Sequence, residues 1–152
     1  MSFAKPESIA NAIPHIPTKR YACAAHQCPM PGTMFGEGGG VCAYHYATHF
    51  TDWPRISQTL NEWAILTEEI NHSRKVLTDP ATAAKPGLIA EEFRMAWDRI
   101  KGNLGPWTDA VKPQPTKGGQ MDSYGSWALR LEQFMGQRVV ECLSRRVGRI
   151  AA

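Results

Sequence analysis

With 152 residues, 43% of them hydrophobic and 20% charged, the chain has apolar material for one globular core but not for two large ones. Its apolar runs are too short to span a bilayer, and residues 1–12 (with Lys5, Pro6 and Glu7) do not read as a signal peptide. A net charge of +3 permits contact with nucleic acid without demanding it, so the expectation is a cytoplasmic protein with no membrane partner.

Residues 1–20 contain Pro6, Pro14 and Pro17 without a sustained period, and an irregular N-terminal arm is expected. Residues 21–50 are poor in charge and rich in Cys, Gly and Pro, as in a loop structure stapled by metal, since so few apolar side chains cannot hold a fold alone. Inside this finger a hairpin is predicted over 33–35 and 40–42, turning through 36–39. A helical domain, packed on the finger, is expected over 51–152. Its first helix starts at the Asp52 cap, has Pro54 in the first turn, repeats Ile56, Leu60, Trp63, Leu66, Ile70 and Leu77, and stops at Asp79-Pro80.

A second helix begins near Pro86 and carries Ile89, Phe93, Trp97, Ile100 and Leu104; Gly105-Pro106 stops it. Three prolines and three glycines make 105–121 a loop. A third long helix, from about Ser123 to Val147, turns Tyr124, Trp127, Leu131, Phe134, Met135, Val139 and Leu143 inward. Three amphipathic helices bury their stripes most economically against one another, so the expected fold is mainly α, a compact bundle of about three helices after a small zinc finger.

The cysteines are clustered. Cys23, Cys28 and Cys42 lie within twenty residues, whereas Cys142 stands about a hundred residues away in a helical pattern that suits a small buried hydrophobe. In a reducing compartment such a cluster holds metal more readily than disulfides. The spacing Cys23-x4-Cys28-x13-Cys42-x2-His45 supplies four tetrahedral ligands for one Zn2+ ion, two from each of two loops. A rival set pairs Cys23-x2-His26 with Cys42-x2-His45; Cys28 is preferred because a third thiolate binds zinc strongly and the Pro29–Gly32 stretch after it makes a rigid turn. Four protein ligands leave no open position, so the ion is expected to be structural. A knuckle, a hairpin and a helix that donates the last two ligands resemble the treble-clef arrangement.

No catalytic constellation accompanies it. His15, His49 and His72 have no acid or nucleophile at a telling spacing, and the adjacent pairs Glu68-Glu69 and Glu91-Glu92 point in different directions from a helix, as solvated faces do. The chain is therefore expected not to be an enzyme and to take no small-molecule substrate. Five arginines against two acids over 130–152 make the C-terminal end basic. Arg145, Arg146 and Arg149 either complement a helix C-terminus or contact phosphates, with Lys19 and Arg20 as possible additions. Trp53 and Trp107, at element boundaries, are the tryptophans left open for a partner.

The Cys-Pro-Met-Pro-Gly-Thr turn at 28–33, with Tyr21-Ala-Cys-Ala-Ala-His before it and Val41-Cys-Ala-Tyr-His-Tyr and Trp53-Pro-Arg-Ile after it, resembles small zinc-finger proteins encoded by bacteriophages and prophages. The resemblance covers roughly 21–56. It implies a phage accessory protein of DNA metabolism, acting on nucleic acid or on the proteins bound to it. A protein-binding adaptor or inhibitor aimed at a host complex is the alternative.

Overall fold

A computed structural model describes residues 22–36, 39–115, 117–120 and 122–151. The arm expected over 1–20, with Lys19 and Arg20, lies outside them. The chain divides into two compact units, Met1–Gln58 and Thr59–Ala152.

The first unit has little regular structure, as its composition requires. An isolated bridge pairs Ala22 with Pro31. Strand β1 (Met34–Gly36) pairs antiparallel with β2 (Gly39–Val41) in the register Met34 to Val41, Phe35 to Gly40 and Gly36 to Gly39. The Thr33 N–H donates to the Val41 carbonyl at 2.9 Å, and the Ala24 N–H donates to the Gly40 carbonyl at 2.8 Å, tying the Cys23 loop to β2. That approach needs a glycine at 32, where a Cβ would sit 2.7 Å from the Gly40 carbonyl carbon and 3.1 Å from the Ala22 oxygen. Helix α1 (Ala43–Tyr46) is a single turn that starts directly after Cys42. His49 caps a 3₁₀ turn at Phe50–Asp52, accepting from the Thr51 N–H, and the chain passes straight into α2 (Trp53–Glu62) with Pro54 in its first turn.

The second unit carries the apolar core. Its helices are α3 (Ala64–Thr78), the one-turn α4 (Pro80–Ala83), α5 (Pro86–Ile100), the one-turn α6 (Thr108–Val111) and the long α7 (Tyr124–Ala151). Asp79 both stops α3 and starts α4, its carboxylate accepting from the Ala81 N–H at 3.0 Å and the Thr82 hydroxyl at 3.1 Å. Ser123 caps α7 by accepting from the Ser126 N–H at 3.1 Å. Leu66, Ile70, Ala96, Ile100, Trp127, Leu131 and Met135 are almost wholly buried, so α3, α5 and α7 contribute the stripes read from their periodicity.

Two aromatic groups fill the spaces between helices. Trp127 lies 5.3 Å from Phe93, 6.1 Å from Tyr124 and 6.4 Å from Trp97, and its Nε1–H donates to the Val111 carbonyl at 2.8 Å. Trp63, Trp107 and Phe134 meet edge to face, and the Arg138 guanidinium covers the Trp107 ring at 4.1 Å.

Three features depart from the periodic reading. The helix expected to run unbroken to Asp79 breaks at Trp63 (φ −102°, ψ 36°), where no Pro or Gly stands. The single Thr67 hydroxyl lies 3.5 Å from the Leu60 carbonyl and 3.0 Å from the Ala64 carbonyl, supplying a donor where the helical ladder is interrupted. The stretch 105–121 is not all loop: a 3₁₀ turn at Gly105–Trp107 leads into α6. Glu69 is not on a solvated face; its side chain is 5% exposed and takes two bonds from Arg99, Nε to Oε2 at 3.0 Å and Nη2 to Oε1 at 2.8 Å. Among the described residues no helix is long and apolar enough to cross a membrane.

Candidate metal centre

Each ligand candidate is placed by a separate piece of the first unit. Cys23 follows the Ala22–Pro31 bridge, and its N–H donates to the Met30 carbonyl at 3.1 Å. The chain turns back through Gln27 in the left-handed region (φ 57°), which brings Cys28 round with its N–H on the Ala25 carbonyl at 3.2 Å. Ala25 and Met30, 4% and 2% exposed, fill the small apolar base of this knuckle. Cys42 leaves β2 and His45 stands on α1; one helical turn puts their side chains on the same side.

The four side chains meet. Cys23 Sγ, Cys28 Sγ, Cys42 Sγ and the ligand nitrogen of His45 all lie within 4.8 Å of one another. Cys28 Sγ to Cys42 Sγ is 3.8 Å, Cys23 Sγ to His45 Nδ1 is 3.5 Å, and Cys42 Sγ to His45 Nδ1 is 3.1 Å. A zinc ion with Zn–S near 2.3 Å and Zn–N near 2.0 Å requires tetrahedral edges of about 3.8 Å between sulfurs and about 3.5 Å between sulfur and nitrogen. The cluster is thus within metal-binding distance and compatible with one zinc. His26, the rival ligand, is exposed and stands outside the cluster.

Backbone N–H groups favour thiolate at the sulfurs, and burial opposes it. The Cys42 N–H donates to Cys23 Sγ at 3.2 Å, and the Met30 N–H donates to Cys28 Sγ at 3.5 Å. Burial pushes the Cys23 thiol up. Cys28 is also held well above the ordinary thiol range, first by the hydrogen bond it shares with Cys42 and then by burial. The same bond from Cys28 brings Cys42 down to about 4, with His45 adding to it. Three crowded sulfurs cannot all ionise on their own, and a divalent cation reverses that balance by making every thiolate favourable.

His45 is fully buried and held from behind. Its Nε2 lies 3.2 Å from the Trp53 carbonyl oxygen and 3.2 Å from the Ser57 hydroxyl. A carbonyl only accepts, so Nε2 carries the proton and the Nδ1 lone pair faces the sulfurs. Trp53 answers with its own Nε1–H, donated to the His45 carbonyl at 3.1 Å, and its ring meets the imidazole edge to face at 5.5 Å. Trp53, read from the sequence as open for a partner, therefore lies against the cluster. Ser57 was not singled out in the sequence. The signal available was its place four residues after Trp53, on the same face of α2.

The other candidates lie elsewhere. Trp107 is 36% exposed in the second unit, under Arg138. Arg145 is 74% exposed on α7, with Glu141 at 3.8 Å; Arg146 and Arg149 belong to the same helix. His49 is bound to Thr51 and His72 to Glu92 at 3.3 Å. Cys142 is half-buried on α7. No protein-family model, curated protein or solved structure matches the chain.

Proposed function

We propose that one Zn2+ ion joins Cys23, Cys28, Cys42 and His45 as a structural staple, and that the chain is a non-enzymatic accessory protein working through contact with other macromolecules. The observation that carries this is the donor set. Three sulfurs and one imidazole nitrogen, within 4.8 Å of one another, would supply all four positions of a tetrahedral ion and leave none for water or substrate.

Of the two kinds of contact, a protein partner has the better support. Arg74, Arg94, Arg99, Arg130 and Arg138 are each paired with a carboxylate of the same unit, which leaves their charge little free for phosphates. Tyr46 and Phe50, next along the chain from His45, are 57% and 67% exposed, and large aromatics are favoured anchors in protein interfaces. The resemblance to phage zinc-finger proteins points to proteins bound on nucleic acid as the class of partner. Direct contact with nucleic acid is the second reading, favoured by Arg145, exposed toward the basic end of α7.

Capture of the tagged full chain from bacterial lysate, with and without nuclease, separates the two. A protein complex that survives nuclease supports the first reading. Loss of every partner with the nucleic acid, together with binding to bare DNA or RNA that weakens steeply with salt, supports the second. One equivalent of zinc in the purified protein is expected in either case.

A further inference from the structure

We infer that the first turn of α2 is the outer shell of the metal centre, with Ser57 and Trp53 as positioning residues that aim His45 Nδ1 at the ion; this rests on the zinc reading proposed above. The ligand loop ends at His45, yet the imidazole is not oriented by that loop. Its far nitrogen is shared between two acceptors on α2, the Trp53 carbonyl and the Ser57 hydroxyl, both at 3.2 Å. The tryptophan returns a bond from its indole to the His45 carbonyl at 3.1 Å, so ring and backbone of the same histidine are gripped from one helical turn. These groups are enclosed: His45 is 0% exposed and Ser57 3%.

Serine is a poorer helix former than alanine, and a buried hydroxyl needs hydrogen-bond partners. Against the imidazole it has a use. Fixing the proton on Nε2 raises the basicity of Nδ1 and removes the rotation that would let the ring turn from the ion, the general role of a hydrogen-bonded partner behind a metal-bound histidine. The metal centre thus extends beyond its four ligands to residues 53 and 57, and filling it should fix the start of α2.

The test uses the full chain with Zn2+ or Co2+ and four variants. Ser57→Ala should lower zinc affinity about tenfold in competition with a chromophoric chelator, and shift the visible d–d bands of the Co2+ form while leaving its thiolate charge-transfer bands in place. Ser57→Thr and Ser57→Val have nearly the same shape and differ in the hydroxyl, so Thr should bind at least about fivefold more tightly than Val if the hydrogen bond matters. Trp53→Phe, which keeps the ring but loses its N–H, should also bind more weakly than the parent. Equal affinities and cobalt spectra across parent, Ala, Thr and Val would overturn the inference and leave the zinc site standing. A parent chain that takes up neither metal would instead remove the zinc reading, and this one with it.

Discussion

The two units are held together by different physics. In Thr59–Ala152 the stripes of α3, α5 and α7 bury Trp127, Leu131, Met135, Leu66, Ile70 and Ile100, and the hydrophobic effect does most of the work. The segment from Ala22 to His45 contains a hairpin of two three-residue strands, a single helical turn and a knuckle floored by Ala25 and Met30. So few apolar side chains cannot keep such a segment ordered on burial alone, and the proposed zinc at the Cys23, Cys28, Cys42 and His45 cluster would cross-link it. Where apolar area is scarce, a few strong bonds to one ion can replace many weak contacts, at the cost of making order conditional on the ion and on pH.

Removing the ion should break this contrast most sharply. In zinc-finger peptides a structural zinc contributes roughly 10–16 kcal/mol, far more than a small module's own stability. A strong chelator or Cys42→Ala should therefore abolish amide protection over 22–48 while α3, α5 and α7 keep theirs, as read by hydrogen exchange. Protection of the finger that survives chelation would show that the segment does not need metal.

Acid should act in the same direction. Without the ion the finger should be disordered, and its three thiols then carry their protons below the ordinary cysteine pKa of about 8.5, so zinc must displace about three protons. Between about pH 7 and 8 the apparent zinc affinity should rise by up to about a thousandfold per pH unit and fall equally on the way down. Titration calorimetry in two buffers of different ionisation heat would count the protons.

On the other side of the comparison, Trp127→Ala should destabilise the helical unit by about 3–5 kcal/mol, since the side chain is wholly buried and its N–H is bonded. Denaturant melts should show that loss with zinc stoichiometry unchanged. Gly32→Ala is its smaller counterpart in the finger. A methyl group 2.7 Å from the Gly40 carbonyl carbon must push strands and ligands apart, costing about 1–3 kcal/mol, visible as weaker zinc retention. Arg99→Ala strands Glu69 in the core, and because Arg99 is itself 43% exposed the cost should be about 2 kcal/mol. Smallest of all is His26→Ala, exposed and outside the cluster, which should hold zinc like the parent while Cys28→Ser does not.

What the sequence disclosed follows the same division. The candidate cluster is legible because zinc accepts few residue types and needs them close: the spacing, with a third thiolate preferred to His26, picks out Cys23, Cys28, Cys42 and His45, whose ligand atoms lie within 4.8 Å of one another. The long stripes of α5 and α7 are legible because burial imposes a period of 3.6 residues. The break at Trp63 is not legible, since neither Pro nor Gly causes it and its compensation by the Thr67 hydroxyl exists only once the helix has bent. Burial of Glu69 depends on Arg99, thirty residues away on another helix, and no local pattern announces such a pair. Ser57 was missed for a related reason: a serine on a helix face has meaning only when the group opposite it is known.

The placement of Trp53 has an optical consequence. Of the five tryptophans, Trp53 alone falls before Gln58, while Trp63, Trp97, Trp107 and Trp127 all belong to Thr59–Ala152. Its ring centroid stands 5.5 Å from that of the imidazole proposed to bind the ion. A chain with phenylalanine at the other four positions would have a single emitter beside the metal centre, whose quenching by Co2+ would read occupancy of the finger while far-ultraviolet dichroism followed the helices.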